Sequence, residues 1–328
     1  MNNFINAIIL IIGFIFLIKG ADIFVDGSSN IAKNIGIPSV IVGLTIVSLG
    51  TSAPELAISS ISAIKGNNGI AIGNVLGSNL FNTLIVLGGT ALVTPLMIRK
   101  NIVKRDFLVN VLVLFILYIF SFGLRFNGKD GLLSRIDGLI LLLLCITYIV
   151  ILIREVFKNK DSDISDIERK NLSHIKIGKN IIKIVIGVVG IILGGELVVN
   201  SATNIAYSIG MSEKLVGLTI IAMGTSLPEL VTSIVAALKG ETEIALGNVL
   251  GSNIFNILLI LGLSSTINPI IVAGNLYIDL LFLIAVTLII GIMIFLNKDK
   301  DINKLTRFKG LILVLLYIIY LLYIIMRN

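Results

Sequence analysis

A stretch of 46 residues, 43–88, occurs twice in this chain. The second copy, 217–262, lies 174 positions further on with no gap, and 28 of the 46 aligned residues are identical. The first copy opens GLTIVSLGTSAPEL and closes GNVLGSNLFNTLIVLG; the second opens GLTIIAMGTSLPEL and closes GNVLGSNIFNILLILG. Apolar bias alone does not match Gly, Ser, Asn, Pro and Glu position by position. The fold must therefore use one unit twice, with Glu55 and Glu229 in equivalent surroundings. The correspondence continues outside the motif, where Asp22 aligns with Glu196, Asn30 with Asn204, Ala32 with Ala206, Gly36 with Gly210 and Pro95 with Pro269.

The solvent of this unit is a bilayer. Of the 328 residues, 56% are hydrophobic and 14% charged, against about 25% charged in soluble domains. The runs 4–18, 107–122 and 311–326 carry no charge. A spanning helix needs about 20 apolar residues, whereas a membrane barrel would show segments of about 10 with alternating polarity. The expectation is an all-α polytopic membrane protein with ten transmembrane helices. They are read at 4–31, 38–65, 69–93, 102–122, 132–157, 179–208, 213–239, 244–267, 275–297 and 304–326. The first lacks a basic leader and a small-residue cleavage site, so it reads as a span and not a signal peptide.

Each half, 1–157 and 179–328, then holds five spans, and a polar linker, 158–178, joins them. Five is odd, so the second half enters the membrane inverted, the plan of many secondary transporters with a midplane site. With the N-terminus outside, nineteen basic residues fall on the inner side and six on the outer. Basic loops favour the cytoplasm, which predicts the cytoplasmic membrane with both termini outside.

The net charge of +7 suits loops beside anionic lipid heads and gives no reason to invoke nucleic acid. Lys19 either pairs with Asp22 or reaches for the interface. Asp22, Asp26 and Glu196 read as helix packing or as part of an access path. Cys145 and His174 stand alone, so no intrachain disulfide or soft-metal cluster is expected. The linker acids Asp161, Asp163, Asp166 and Glu168 lack the sixth-position glycine of an EF-hand loop and read as solvated. There is no GxxxxGK[ST] stretch for ATP, and neither a cofactor nor an obligate protein partner is indicated.

The motif itself carries oxygen ligands. Pro54 has no amide hydrogen and crowds the carbonyl of Gly50, so the span should break and free carbonyls around Ser48 to Thr51. In hydrocarbon such carbonyls need a partner, and a cation is one. Thr51, Ser52 and Glu55 add side-chain oxygens. Thr225, Ser226, Pro228 and Glu229 repeat the arrangement, with Ala222 in place of Ser48. Asn74, Ser78 and Asn82 lie four apart and line one helix face, as do Asn248, Ser252 and Asn256. Gly73 and Gly77 offer a surface for close helix approach.

Hard oxygen donors suit Ca²⁺ or alkali cations and argue against zinc, copper or iron. Two ionised carboxylates match one Ca²⁺. Unoccupied, they would repel, so the site favours a divalent ion, several monovalent ions, or protons. Mutually exclusive occupancy is the basis of exchange. A buried acid in a span is functional by default, and two equivalent ones beside the same Thr-Ser-x-Pro outweigh a purely structural kink. A passive cation channel could use the same ligands. A membrane hydrolase is disfavoured, since no nucleophile–base pair accompanies the acids.

At GTSAPEL…GNVLGSNLFN and GTSLPEL…GNVLGSNIFN the chain resembles the calcium/cation antiporter superfamily, in particular the prokaryotic sodium/calcium exchangers. The resemblance covers nearly the whole chain. It implies a midplane site built by the second, third, seventh and eighth spans, with the first and sixth sliding across it. Glu55 and Glu229 would be the central calcium ligands. Thr51 and Thr225 would add carbonyl and hydroxyl contacts to calcium and sodium. Ser52, Ser226, Ser78 and Ser252 would line flanking cation positions, and Asn82 the middle. Many relatives carry Asp where this chain has Asn256. Two central carboxylates leave three Na⁺ with an excess of +1, so the counter-ion count stays open. The implied activity is Ca²⁺ extrusion in exchange for Na⁺, with Ca²⁺/H⁺ or K⁺-dependent exchange as alternatives.

Overall fold

The computed structural model describes residues 3–66, 68–123, 129–159, 177–211, 222–296 and 302–327. Two helices dominate one side, α1 (Asn3–Ile35) and, from the second half, α7 (Ile177–Ser208). At 33 and 32 residues each is about 50 Å long, beyond the roughly 30 Å of a hydrocarbon core. They cross antiparallel, with Gly13 against Val198, Gly20 against Ile191 and Gly27 against Asn180. A methyl group on Gly20 would lie 2.7 Å from the Ile191 amide nitrogen, so small residues permit this crossing. Both helices stop in the same way. Gly36 (φ 72°) and Gly210 (φ 88°) adopt the left-handed conformation, and the amides of Ile37 and Met211 turn back to the carbonyls of Ala32 and Ala206. A side chain there would be strained.

The next segment is broken. α2 (Ser39–Thr51) and α3 (Ala53–Ile64) meet at 51°, with Ser52 at the bend. Pro54 is the second residue of α3, where its missing N–H does least harm. In the second half, residues 212–221 lie outside the described residues, and with them the start of the motif copy. A single turn, Ala222–Gly224, precedes α8 (Leu227–Leu238). Ser226 (φ −96°, ψ 7°) holds nearly the backbone conformation of Ser52 (φ −85°, ψ 9°).

The innermost helices are α4 (Gly69–Val93) and α9 (Thr242–Ile267). Each widens to π-type turns at the same motif position, Asn82–Val86 and Asn256–Leu261, a distortion common at functional sites. α9 packs closely on α2. A methyl at Gly247 would lie 2.5 Å from the Val40 carbonyl, and one at Gly251 would lie 2.6 Å from the Leu44 carbonyl. The small-residue contact expected of Gly73 and Gly77 is not found among the described residues. Its partners by the repeat would be within 214–222, of which 214–221 lie outside the described residues. The tight glycines are their equivalents Gly247 and Gly251, with Gly43 opposite.

Around this centre stand α5 (Lys100–Phe122), α6 (Arg135–Asn159), α10 (Leu276–Phe295) and α11 (Arg307–Arg327). The all-helical expectation needs one amendment. Two short antiparallel ribbons pair β1 (Leu96–Arg99) with β4 (Ile302–Leu305) and β2 (Gly131–Leu133) with β3 (Ile270–Val272). Pro95 and Pro269 end α4 and α9, and the extended residues beyond them need backbone partners. Each ribbon takes one strand from each half.

Seven described helices are long and apolar enough to cross a membrane, or eight if the bent α2–α3 pair is one span. This is fewer than the ten expected. The segment 38–65 is broken, 213–239 is described only in part, and α5 opens on Lys100, Lys104, Arg105 and Asp106. Residues 160–176, with His174 and the acidic cluster of the linker, lie outside the described residues. Cys145 is buried and free. Asp22 pairs with Lys239.

Candidate cation site

The bend after α2 and the turn before α8 place Glu55 and Glu229 as the third residues of α3 and α8. The positive ends of these helices therefore lie beside both carboxylates. Both are completely buried. Each is held by the other copy of the motif. Ser52 donates to Glu229 Oε1 at 2.8 Å, and Ser226 donates to Glu55 Oε1 at 3.1 Å. A weaker contact comes from the adjoining inner helix, Ser78 to Glu55 at 3.4 Å and Ser252 to Glu229 at 3.5 Å. Ser52 and Ser252 hydroxyls lie 3.0 Å apart. The site is thus one reciprocal arrangement, with neither copy complete alone.

The second oxygen of each carboxylate, Oε2, has no hydrogen-bond partner. Neither do Thr225 Oγ1, Asn82 Oδ1 and Asn256 Oδ1. Buried acceptors of this kind cost free energy unless a donor or a cation meets them. All are hard oxygens, and among the described residues no cluster of three or more His, Cys, Asp or Glu competes as a metal centre. The donor set fits a Ca²⁺ or Na⁺ substrate.

Thr51 also belongs to this centre but is already engaged. Its hydroxyl donates to Asn248 Oδ1 at 3.0 Å, which leaves its two lone pairs as acceptors. Ser48 is placed differently from the sequence expectation. Its hydroxyl donates to the Leu44 carbonyl at 2.7 Å, within its own helix, and packs under Gly251. Its carbonyl accepts the Ser52 amide at 3.0 Å, so the break frees less backbone here than the proline alone suggested. Ala222 opens the turn before α8, and its side chain lies outside the described residues.

Two asparagines that pattern reading passed over brace the centre. Asn79 donates to the Asn253 carbonyl at 3.2 Å, Asn253 donates to Thr83 Oγ1 at 2.9 Å, and Asn256 donates to Asn79 Oδ1 at 2.9 Å. Asn79 and Asn253 follow Ser78 and Ser252 in the repeated Gly-Ser-Asn, so repetition marked them while the four-residue spacing did not. Asn74 and Asn248 anchor the inner helices to Ser59 at 3.1 Å and Ser233 at 2.9 Å. Asn79→Leu would leave the Asn256 amide and the Asn253 carbonyl unpaired, at about 1–3 kcal/mol each. A lower melting temperature in detergent is expected, and an unchanged one would remove the brace.

Comparison with known proteins places the chain in a family. The family model described as sodium/calcium exchanger protein matches residues 5–154 and 179–326. The sodium/calcium exchanger MaX1 of Methanosarcina acetivorans is 33% identical over 351 aligned residues, covering 97% of this chain and 97% of that protein. The inner membrane protein YrbG of Escherichia coli is 36% identical over 269, covering 80% and 79%. Among solved structures, the sodium-calcium exchanger NCX_Mj superposes with a TM-score of 0.79 at 31% identity, over 97% of this chain and 98% of that one. This multi-pass membrane protein is a transporter and not an enzyme, and it belongs to the sodium/calcium exchanger family of antiporters.

Proposed function

We propose that the chain exchanges Ca²⁺ for Na⁺ across the cytoplasmic membrane by alternating access, normally extruding Ca²⁺. The observation that carries this reading is the reciprocal carboxylate pair, each with one oxygen bonded to a serine of the other copy and one oxygen without a partner. A divalent ion would bridge the two unpartnered oxygens and balance both charges. Sodium ions would instead use one carboxylate each, with Thr225, Asn82 and Asn256 as neutral oxygens. The two loads compete for the same atoms, which couples their fluxes.

The reading takes the chain as ten spans in two inverted halves, 1–157 and 179–328, joined by the 158–178 linker. The antiparallel crossing of the equivalent helices α1 and α7 supports inversion, and the matching helix ends at Gly36 and Gly210 support the repeat. The inner excess of basic residues supports both termini outside.

Radioactive calcium uptake into proteoliposomes, with Na⁺, K⁺ and H⁺ gradients varied in turn, tests the counter-ion. Uptake driven by an outward Na⁺ gradient is expected. Uptake that follows only an outward pH gradient would establish a Ca²⁺/H⁺ exchanger instead, and conductance in planar bilayers without a counter-ion would establish a channel.

Asn256 sharpens the sodium question. Its amide nitrogen is committed to Asn79 Oδ1, while its own oxygen is unpartnered. In Asn256→Asp a carboxylate oxygen would face that acceptor, and a third charge would enter the site. The expected result is tighter monovalent-cation binding, seen as a lower half-saturating Na⁺ or a new K⁺ dependence of flux. An unchanged cation profile would take position 256 out of the ligand set.

A further inference from the structure

The two equivalent helices α1 and α7 carry acids at matching places, and the protein treats them unequally. Just past α8, the Lys239 ammonium lies 2.7 Å from Asp22 Oδ1 and 2.6 Å from Asp26 Oδ1. It also donates to the Asp22 carbonyl at 2.8 Å. Two residues on, Glu241 accepts from Lys33 at 2.7 Å and from the Ser29 hydroxyl. Burial alone would raise the Glu241 carboxyl, yet Lys33 and Ser29 hold it below the usual carboxylate range. Positions 22, 26, 29 and 33 form one helix stripe. The turn 239–241 is therefore clipped along one side of α1.

The other membrane face has no such clip among the described residues. By the 174-residue offset, Lys239 corresponds to Lys65, Asp22 to Glu196 and Asp26 to Asn200. Lys65 sits at the end of α3 and makes no ion pair with Glu196. Glu196 lines a cavity of about 390 Å³ together with Asn200, Pro54, Pro228 and Thr225. Thr225 lines that cavity, and its buried hydroxyl, just behind the wall, has no partner. A carboxylate within a spanning helix belongs against water or a partner, so this cavity reads as a wet approach to the site. Its counterpart on the Lys239 face is closed, since Thr51, the equivalent of Thr225, is completely buried.

We propose that Lys239 is a positioning residue, a tethered cation that occupies Asp22 and Asp26 at the mouth of one access path and so holds α1 closed against the core on that face. The inference rests on the antiporter reading and adds an asymmetry that its two-fold plan does not contain. For the Lys239 face to open, the ammonium must leave the two aspartates, and an arriving hydrated cation can then take its place. Partly exposed ion pairs are individually weak, so the latch biases an equilibrium between the two open states and does not lock it.

The test compares Lys239→Gln with the unaltered residue in a Cys145→Ser background, in oriented proteoliposomes without ion gradients. A membrane-impermeant maleimide reports on Val231→Cys, beneath the latch, and on its equivalent Ala57→Cys, which lines the open cavity. Loss of the latch is expected to speed labelling at position 231 by roughly two- to thirtyfold, the range two partly exposed pairs provide, with no rise at position 57. The charge exchange Lys239→Asp with Asp26→Lys is expected to return the ratio of the two rates toward its original value, which a merely structural lysine would not do. An unchanged rate at 231, equal rises at both positions, or no recovery on charge exchange would overturn the latch. Labelling needs no transport, so an absence of calcium flux in the unaltered protein would overturn the antiporter reading separately.

Discussion

Glu55→Gln and Glu229→Gln are each expected to reduce calcium exchange in proteoliposomes to the background of protein-free vesicles. Each carboxylate is buried completely and presents one unpartnered oxygen. Replacing it by an amide removes one of the two charges that would balance a bound Ca²⁺. It can also turn an N–H₂ group toward the ion, where an acceptor is required. Removing one partner of a buried charge interaction costs about 3–5 kcal/mol, which is more than about 100-fold in affinity. The reciprocal bonding makes the two variants equivalent, because Ser52 serves Glu229 and Ser226 serves Glu55. Melting in detergent without added cations separates a lost site from a lost fold. It should be unchanged or higher, since either substitution relieves two facing carboxylates. Full flux in one variant would remove that glutamate from the site.

Gly251→Val should be nearly as severe by a different route. A methyl here would lie 2.6 Å from both the Leu44 carbonyl and the Ser48 hydroxyl, and 2.8 Å from Ser48 Cβ. None of these can retreat easily. Leu44 O is backbone, and the Ser48 hydroxyl is bonded to that same carbonyl at 2.7 Å. α9 would have to move off α2, carrying Ser252 away from Glu229. Overpacking a tight interface costs about 1–3 kcal/mol, and the displaced site adds a loss of transport. The melting temperature and calcium flux should fall together. Gly89→Ala is the control, because its new methyl meets only Leu230 Cδ1 at 3.6 Å and should leave both unchanged. A Gly251→Val protein that melts and transports normally would show that the α2–α9 contact can relax.

Much of the site was legible before any coordinates, and particular residues show why. Glu55, Ser52 and Thr51 recur as Glu229, Ser226 and Thr225 in segments where apolar residues would be the default, so repetition separated the candidate ligands from background. Pro54 announced the bend at Ser52, because a missing amide hydrogen acts wherever the chain goes. Other assignments depended on which way a side chain turns. Ser48 sits in the same motif as Ser52, yet its hydroxyl returns to Leu44, since it falls one turn earlier on the face that meets Gly251. Asn79 and Asn253 lie off the four-residue stripe, and only the packing of α4 beside α9 shows that they join the halves.

By itself the sequence determined the membrane class, the doubled unit and the hard-oxygen chemistry of its centre. Those follow from composition and from local spacing, which hold in any arrangement of the helices. The tertiary structure decided who partners whom. Ser52 finds Glu229 across 177 positions of chain, and Lys239 finds Asp26 across 213. Such contacts leave no mark in a sequence repeat, because a repeat makes both halves alike, whereas the bonds run between halves and, among the described residues, Lys239 has its aspartates while Lys65 makes no ion pair with Glu196. Identical local pieces fixed what the site is made of, and their packing fixed how it is shared.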